Sequence, residues 1–119
     1  MKTKVTESFT FEAAHRLEGI GVGNSNIHGH SHEVFVTLTG EPDPDYGWVV
    51  EQSKFRGIVQ PVIDRLDHRY LNEILKQTTA EGIALYLFEE IKKNITFNEI
   101  NIMSVKVCKV GMCAEVSND

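Results

Sequence analysis

The stretch IHGHSH, Ile27–His32, leads into the clearest strand pattern of the chain. Because alternate side chains of an extended chain share one face, His28, His30 and His32 can project together. Gly29 between the first two histidines leaves room for close approach by another backbone. Imidazoles two residues apart on a rigid strand suit a metal ion, although the pattern also fits a polar strand end with solvated rings.

A second strand pattern ends on another histidine. The run FTFEAAH, Phe9–His15, alternates and closes at His15. One histidine from this strand and a pair from its neighbour would make a three-histidine set with an open fourth position. That arrangement is typical of catalytic rather than structural zinc sites.

Length and composition predict one domain covering residues 1–119. The chain has 41% hydrophobic and 24% charged residues, values of an ordinary globular protein. A net charge of -5 and the lack of a basic run argue against nucleic acid as the main partner. The start, MKTK, leads into a strand pattern rather than a signal peptide, and no stretch resembles a membrane span. The default expectation is a cytoplasmic protein with no membrane partner.

The two cysteines, Cys108 and Cys113, do not form a C-x-x-C pair and do not require an oxidising compartment. We interpret them as small buried hydrophobic residues. The alternative is that one of them supplies a thiol to a site.

Periodicity predicts the first half of the fold. Alternating patterns predict strands over Val5–His15 and His32–Gly40. Ser53 is a plausible N-cap for a following helix, and Pro61 is expected to kink that helix. Its apolar stripe consists of Phe55, Ile58, Val59, Val62, Ile63 and Leu66.

The second half is predicted to contain a helix and a hairpin. Thr78, three residues before Glu81, indicates a capping box at the start of the helix. The hairpin consists of Asn101–Val110 and Met112–Val116, with a turn near Gly111. The order ββααββ predicts an α+β fold, with two helices on one face of a four-stranded antiparallel sheet. Sheet edges on so short a chain favour a homo-oligomer.

With these residues in place, the chain resembles the 6-pyruvoyltetrahydropterin synthase and 6-carboxytetrahydropterin synthase family nearly end to end. The matching blocks are Phe11–Leu17 (FEAAHRL), His28–His30 (HGH), Leu66–His68 (LDH) with Leu71–Asn72, and Thr79–Glu81 (TAE). The resemblance implies the tunnelling fold, or T-fold, a ββααββ unit. In that family, subunits assemble around a barrel and active sites lie between subunits.

The resemblance also implies roles for individual residues. Zinc would be held by His15, His28 and His30, whereas His32 stands where the family usually has another residue. Asp67 would orient His68 as a general acid/base. Without the other blocks, Asp67 and His68 would be interpreted as a solvated helix end.

The implied substrate is 7,8-dihydroneopterin triphosphate or a related pterin-like molecule. Zinc would act as a Lewis acid on its side-chain hydroxyl and carbonyl groups, while positioned bases move protons and triphosphate is eliminated. The carboxypterin branch of the family also releases acetaldehyde.

The chain departs from the family at two positions. The family has a cysteine base four residues before the H-G-H pair, and here Asn24 stands there; it can bind a substrate but does not take a proton. The family also has a glutamate that binds the donor edge of the pterin, and the alignment places Lys109 there. We expect Lys109 to seek a carboxylate or phosphate, either Glu115 or a ligand group. Glu115 is also a candidate replacement anchor.

Three hypotheses about function remain open. The first is a zinc-dependent lyase acting on dihydroneopterin triphosphate or a related heterocycle, with weakened activity in the family's usual reaction. The second is a retro-aldol cleavage of a dihydroneopterin-like side chain. The third is a catalytically silent protein that binds a metal and a small molecule.

Overall fold

The computed structural model describes residues 1–19, 21, 25–97 and 99–118. Asn24, one of the predicted substrate-binding residues, lies outside the described residues. The elements are β1 Thr3–His15, β2 His28–Gly40, α1 Gln52–Asp64, β3 Arg69–Tyr70, a 3₁₀ turn Leu71–Glu73, α2 Ala80–Asn94, β4 Ile100–Lys109 and β5 Met112–Ser117. The α+β fold class is confirmed.

The described strands form one five-stranded sheet in the order β3-β1-β2-β4-β5. The predicted four strands pair antiparallel with their neighbours. The fifth, β3, runs parallel to β1 and pairs only with Ala13 and Ala14. A strand of two residues has no detectable alternation, so the sequence did not predict it.

The pairing of β1 with β2 runs without a break from Thr3 opposite Gly40 to His15 opposite His28. Phe9, Phe11, Ala13 and His15 alternate on the buried face of β1. This register therefore brings the histidine that ends one strand beside the histidines that begin the next.

The core lies between this buried sheet face and the two helices. The apolar stripe of α1 is buried as predicted, with Phe55, Ile58, Val59, Val62 and Ile63 inside. The stripe of α2 is buried in the same way through Ile83, Ala84, Leu87, Phe88 and Ile91. Pro61 lies inside α1.

Both predicted N-caps are wrong by one or two positions. α1 is capped by Glu51, whose carboxylate accepts from the backbone N–H of Ser53 at 3.1 Å and of Lys54 at 3.2 Å. α2 is capped by Thr79, which accepts from the N–H of Gly82 at 3.2 Å. Thr78 is buried instead and faces β1. Several adjacent residues can cap a helix, so local sequence alone does not choose among them.

The interpretation of the cysteines as buried thiols is also wrong. Cys108 and Cys113 face each other across the β4–β5 pair and form a disulfide, with a Cα–Cα distance of 4.0 Å. The hairpin register brings the two sulfurs together, and neither residue is fully buried. In this disulfide form neither cysteine offers a thiol to a site.

None of the described helices is long and apolar enough to cross a lipid bilayer.

Two helical glycines make a matched stability test of the packing. A Cβ added at Gly82 would lie 2.3 Å from the carbonyl oxygen of Gln77, whereas one added at Gly57 meets nothing within 4 Å. We expect Gly57→Ala to stabilise the protein by about 0.5–1 kcal/mol through helix propensity. Gly82→Ala should destabilise it by about 1–3 kcal/mol because of the overlap. Urea denaturation measures both, and equal stabilisation by the two variants would contradict the packing at the start of α2.

Candidate metal centre

Three histidines converge at the end of the β1–β2 pair. One ligand atom from each of His15, His28 and His30 lies within 4.8 Å of the others. The ring centroids are 4.6 Å apart for His15 and His28, 5.1 Å for His15 and His30, and 4.8 Å for His28 and His30. Strand pairing and alternation thus bring together the three residues that the sequence analysis selected.

Backbone carbonyls fix the orientation of two of these rings. Nδ1 of His15 lies 2.9 Å from the carbonyl oxygen of Thr78, and Nδ1 of His28 lies 2.8 Å from that of Asn26. Because a carbonyl only accepts, each Nδ1 carries the proton and donates it. Each Nε2 therefore keeps its lone pair, as in metal-binding histidines held by carbonyl groups.

The Nε2 atom of His15 has no hydrogen-bond partner although it is buried. His15 is 1% exposed, so water does not satisfy this atom from bulk solvent. A buried polar atom without a partner costs free energy unless a ligand or ion completes it. Three imidazole nitrogens are the protein donor set of one class of catalytic zinc site, so the residues fit a zinc ion.

The electrostatic environment favours the neutral form of two of these imidazoles, those of His15 and His30. Burial, followed by the nearby ammonium of Lys109, lowers the pKa of His15 to about 4. The same two causes, in the same order, lower the pKa of His30. A histidine must be deprotonated at the ligating nitrogen to bind a metal, so these shifts favour metal binding near neutral pH.

His32 lies next to this set but does not converge with it. Its ring is 2% exposed and stacks on Phe11 with centroids 4.4 Å apart. Its centroid is 6.1 Å from that of His30. His32 does not belong to the group of residues whose ligand atoms lie within 4.8 Å of one another. The expectation that His32 is not a ligand stays a prediction with this geometry in its favour.

Asp67 and His68 form a pair held at the edge of β1 that faces away from β2. Oδ1 of Asp67 lies 3.0 Å from Nδ1 of His68 and accepts from the backbone N–H of Glu12 at 2.9 Å. The backbone N–H of His68 donates to the carbonyl of Glu12 at 2.6 Å. The Glu12 hydrogen bond is the main cause that lowers the pKa of Asp67. A carboxylate that stays ionised can orient and support the imidazole.

His68 has a backbone conformation that few non-glycine residues adopt. Its φ is 60°, in the left-handed region, and its side chain is 78% exposed. A non-glycine residue in this region is often kept at a functional site by its surroundings. No hydrogen bond, ion pair or ring contact joins His68 to the three histidines within the described ranges. A cavity of about 540 Å³ is nevertheless lined by both His30 and His68.

The β4–β5 hairpin carries two candidate substrate-binding residues, Lys109 and Glu115, and places only one of them on the side of the histidines. Lys109 alternates with Val107 and so lies on the face that carries the core. Glu115 pairs with Lys106 and lies on the opposite face. Within this chain, therefore, Lys109 approaches the histidine set and Glu115 does not.

Two residues near the set, Thr78 and Glu81, are predicted from the sequence as helix-cap residues and not as site residues. Thr78 orients His15 through its carbonyl, and its hydroxyl lies 3.2 Å from the same Nδ1. Glu81 lies in the first turn of α2. Burial lowers the pKa of Lys109, and the negative charge of Glu81 opposes that shift by raising it. The signal for Glu81 is the TAE block, which contributes to the family resemblance and to the predicted helix cap but carries no predicted site role for Glu81.

With this geometry described, comparisons with known proteins decide the family. The family model described as 6-pyruvoyl tetrahydropterin synthase matches residues 4–117. The chain belongs to this family. The resemblance predicted from the sequence blocks is therefore confirmed.

Two curated relatives are similar over most of their length. One is a dihydroneopterin monophosphate aldolase of Pyrococcus furiosus, 35% identical over 95 residues that cover 80% of each chain. The other is a putative 6-pyruvoyl tetrahydrobiopterin synthase of Caenorhabditis elegans, 39% identical and covering 70% of this chain and 71% of the relative.

Solved structures of the family share the fold. The 6-pyruvoyl tetrahydropterin synthase of Caenorhabditis elegans superposes with a TM-score of 0.86 and 28% identity, covering 100% of this chain and 97% of its own. A catalytic-residue mutant of the Plasmodium vivax enzyme superposes with a TM-score of 0.83 at 20% identity, covering 100% of this chain and 99% of its own. At that identity the likeness shows the fold alone.

We expect His15→Ala, His28→Ala and His30→Ala each to release most of the bound zinc, because each residue supplies about a third of the protein ligands. His32→Phe, which keeps a ring stacked on Phe11, should retain zinc. Metal analysis of the purified variants measures the stoichiometry. A result in which His32 is required and His15 is dispensable would contradict the ligand assignment.

Proposed function

We propose that the protein is a zinc-dependent lyase acting on the side chain of a dihydroneopterin-type substrate. The observation that carries the proposal is the convergence of His15, His28 and His30, with the buried Nε2 of His15 left without a partner. Membership of the 6-pyruvoyl tetrahydropterin synthase family supports a pterin-like ligand at this site.

The proposed chemistry divides between the metal and the protein. A zinc ion held by the three histidines would supply Lewis acidity to the substrate hydroxyl groups. His68 would move protons between those groups and the pterin side chain as a general acid/base. Asp67 would hold the imidazole of His68 in the required orientation through the contact at Nδ1.

A second candidate within this chemistry is retro-aldol cleavage. It is favoured by the 35% identity to a dihydroneopterin monophosphate aldolase. In this reaction a base removes the proton of the second side-chain hydroxyl, whose oxygen becomes an aldehyde carbonyl. The bond between the first and second side-chain carbons breaks, and its electron pair passes into the imine of the dihydropterin ring. Protonation of the first carbon then gives the hydroxymethyl product.

The retro-aldol route does not need a cysteine base. The family's usual triphosphate elimination is expected to be weak, since loss of a general base costs about 10²–10⁴-fold in rate. In the disulfide form, Cys108 and Cys113 do not offer a hairpin thiol in place of that base. The assignment of Asn24 to the base position stays a prediction.

Product analysis tests the proposed function and separates the candidates. Metal-loaded protein is incubated with dihydroneopterin and with its monophosphate and triphosphate. Released triphosphate indicates elimination, whereas glycolaldehyde or its phosphate ester indicates retro-aldol cleavage. Binding of these compounds without any turnover would contradict the lyase proposal and favour a silent binding protein. Rapid triphosphate elimination would contradict the expected weakness of that reaction.

His68→Ala and Asp67→Asn should lower turnover by about 10²–10⁴-fold while leaving the metal content unchanged. The reason is that both residues act on protons and neither belongs to the three-histidine set. Steady-state kinetics and metal analysis on the same samples measure the two effects. Unchanged turnover in His68→Ala would remove this residue from the mechanism.

We further propose that the working site forms between two copies of the chain. The edge of β1 that faces away from β2 pairs with β3 only at Ala13 and Ala14 among the described residues, which leaves most of it open to another copy. His68 is mostly exposed and makes no direct contact with the histidine set in the described part of the chain. A neighbouring copy would close this site against water.

Mixing two inactive variants tests this arrangement. Subunit exchange between His30→Ala and His68→Ala should restore about one quarter of the wild-type activity. Half of the chains carry an intact histidine set and half carry an intact His68, so random pairing joins the two in about one site of four. The matched control mixes His30→Ala with His15→Ala. Both variants damage the histidine set, so no pairing of these chains should restore activity. Failure of the first mixture to regain activity would place the whole site in one chain.

A further inference from the structure

Lys109 approaches the histidine set from the neighbouring strand. The β2–β4 register pairs Glu33 with Cys108, so the next position of each strand places Lys109 beside His32. Lys109 lies on the face of β4 that also carries Val107. Its ammonium is close enough to act on the charge of His15, His30 and His32, so it forms part of the surroundings of the metal centre.

The ammonium of Lys109 is partly buried and has no ion-pair partner among the described residues. Glu81 is near enough to raise the pKa of Lys109 but does not offset the lowering by burial. Glu115, the partner considered from the sequence, lies on the other face of the sheet opposite Lys106. A partly desolvated donor without an acceptor is costly unless a bound molecule supplies one.

The end of β4 that carries Lys109 is held in place on both sides. Cys108 precedes it and is bonded to Cys113 on β5. Val110 and Gly111 follow it in a tight turn, with φ values of 48° and 81°. The lysine therefore starts from a constrained backbone position, which is suited to reading a defined group on a ligand.

We propose that Lys109 determines the specificity of this site by donating to an acceptor oxygen on the ring edge of the ligand. A carboxylate at the same position would select a ring edge made of N–H donors, whereas an ammonium can only donate. The ligand class is a pteridine that keeps the dihydroneopterin side chain but presents a carbonyl oxygen to Lys109 where an ordinary pterin presents its amino group. This inference rests on the proposed function, since it takes the pteridine from there.

Two stable ring compounds separate the alternatives. Pterin carries an amino group beside a ring N–H, so that edge presents donors. Lumazine carries a second carbonyl in place of the amino group, so the same edge presents an acceptor. If Lys109 donates a hydrogen bond to a carbonyl oxygen of the ring, the wild-type protein should bind lumazine at least as tightly as pterin.

The experiment measures the dissociation constants of both compounds by titration calorimetry with zinc-loaded protein. Lys109→Glu should shift the preference towards pterin by about 10-fold or more, because a charge-assisted hydrogen bond is exchanged for a repulsion. Lys109→Met should weaken lumazine binding by about 10-fold and change pterin binding little. Lys54→Met is the matched control, since Lys54 lies over the ring of Phe97 and lines a different cavity from Lys109, and it should leave both constants unchanged.

Circular dichroism and metal content establish that each variant is folded and loaded. A wild-type preference for pterin of about 10-fold or more, or a preference unchanged in Lys109→Glu, would overturn the inference. So would a wild-type protein that binds neither compound. Failure of the proposed lyase function is a separate result, because it appears as ring binding without turnover of dihydroneopterin compounds.

Discussion

The unbroken antiparallel pairing of β1 with β2 is the constraint on which the rest of the structure depends. It places His15 opposite His28 and Ala13 opposite His30. Because side chains alternate along a strand, a slip of one residue would turn the β2 histidines to the other face. The same slip would expose Val34 and the other core residues of that strand. The register that buries the core is therefore also the register that brings the three histidines together.

β1 also holds the second group of candidate catalytic residues, but through its backbone. The amide and carbonyl of Glu12 bond to Asp67 and His68 respectively, while the side chains of the same strand face the core. One strand thus positions the imidazole of His15 by its side chain and the pair of Asp67 and His68 by its edge. The two groups border one cavity without touching within the described residues, which is why a neighbouring copy of the chain has a place in the proposed mechanism.

The sequence predicted the features that follow from periodicity. Alternation indicated β1, and the H-x-H spacing with His15 indicated the histidine set. It did not predict features decided by contacts distant in sequence. The disulfide depends on the hairpin register, the choice of Thr79 as cap leaves Thr78 free to orient His15, and the proximity of Glu81 to Lys109 depends on how α2 packs on β4. None of these leaves a periodic signal in the chain.

The central claim is that three histidines from two paired strands hold a zinc ion with an open position. X-ray absorption spectroscopy of the zinc-loaded wild-type protein tests it most directly, because it reports the donor atoms themselves. The account predicts three imidazole nitrogens at about 2.0–2.1 Å, completed by an oxygen donor. A first shell that contains sulfur, or one without imidazole, would contradict it.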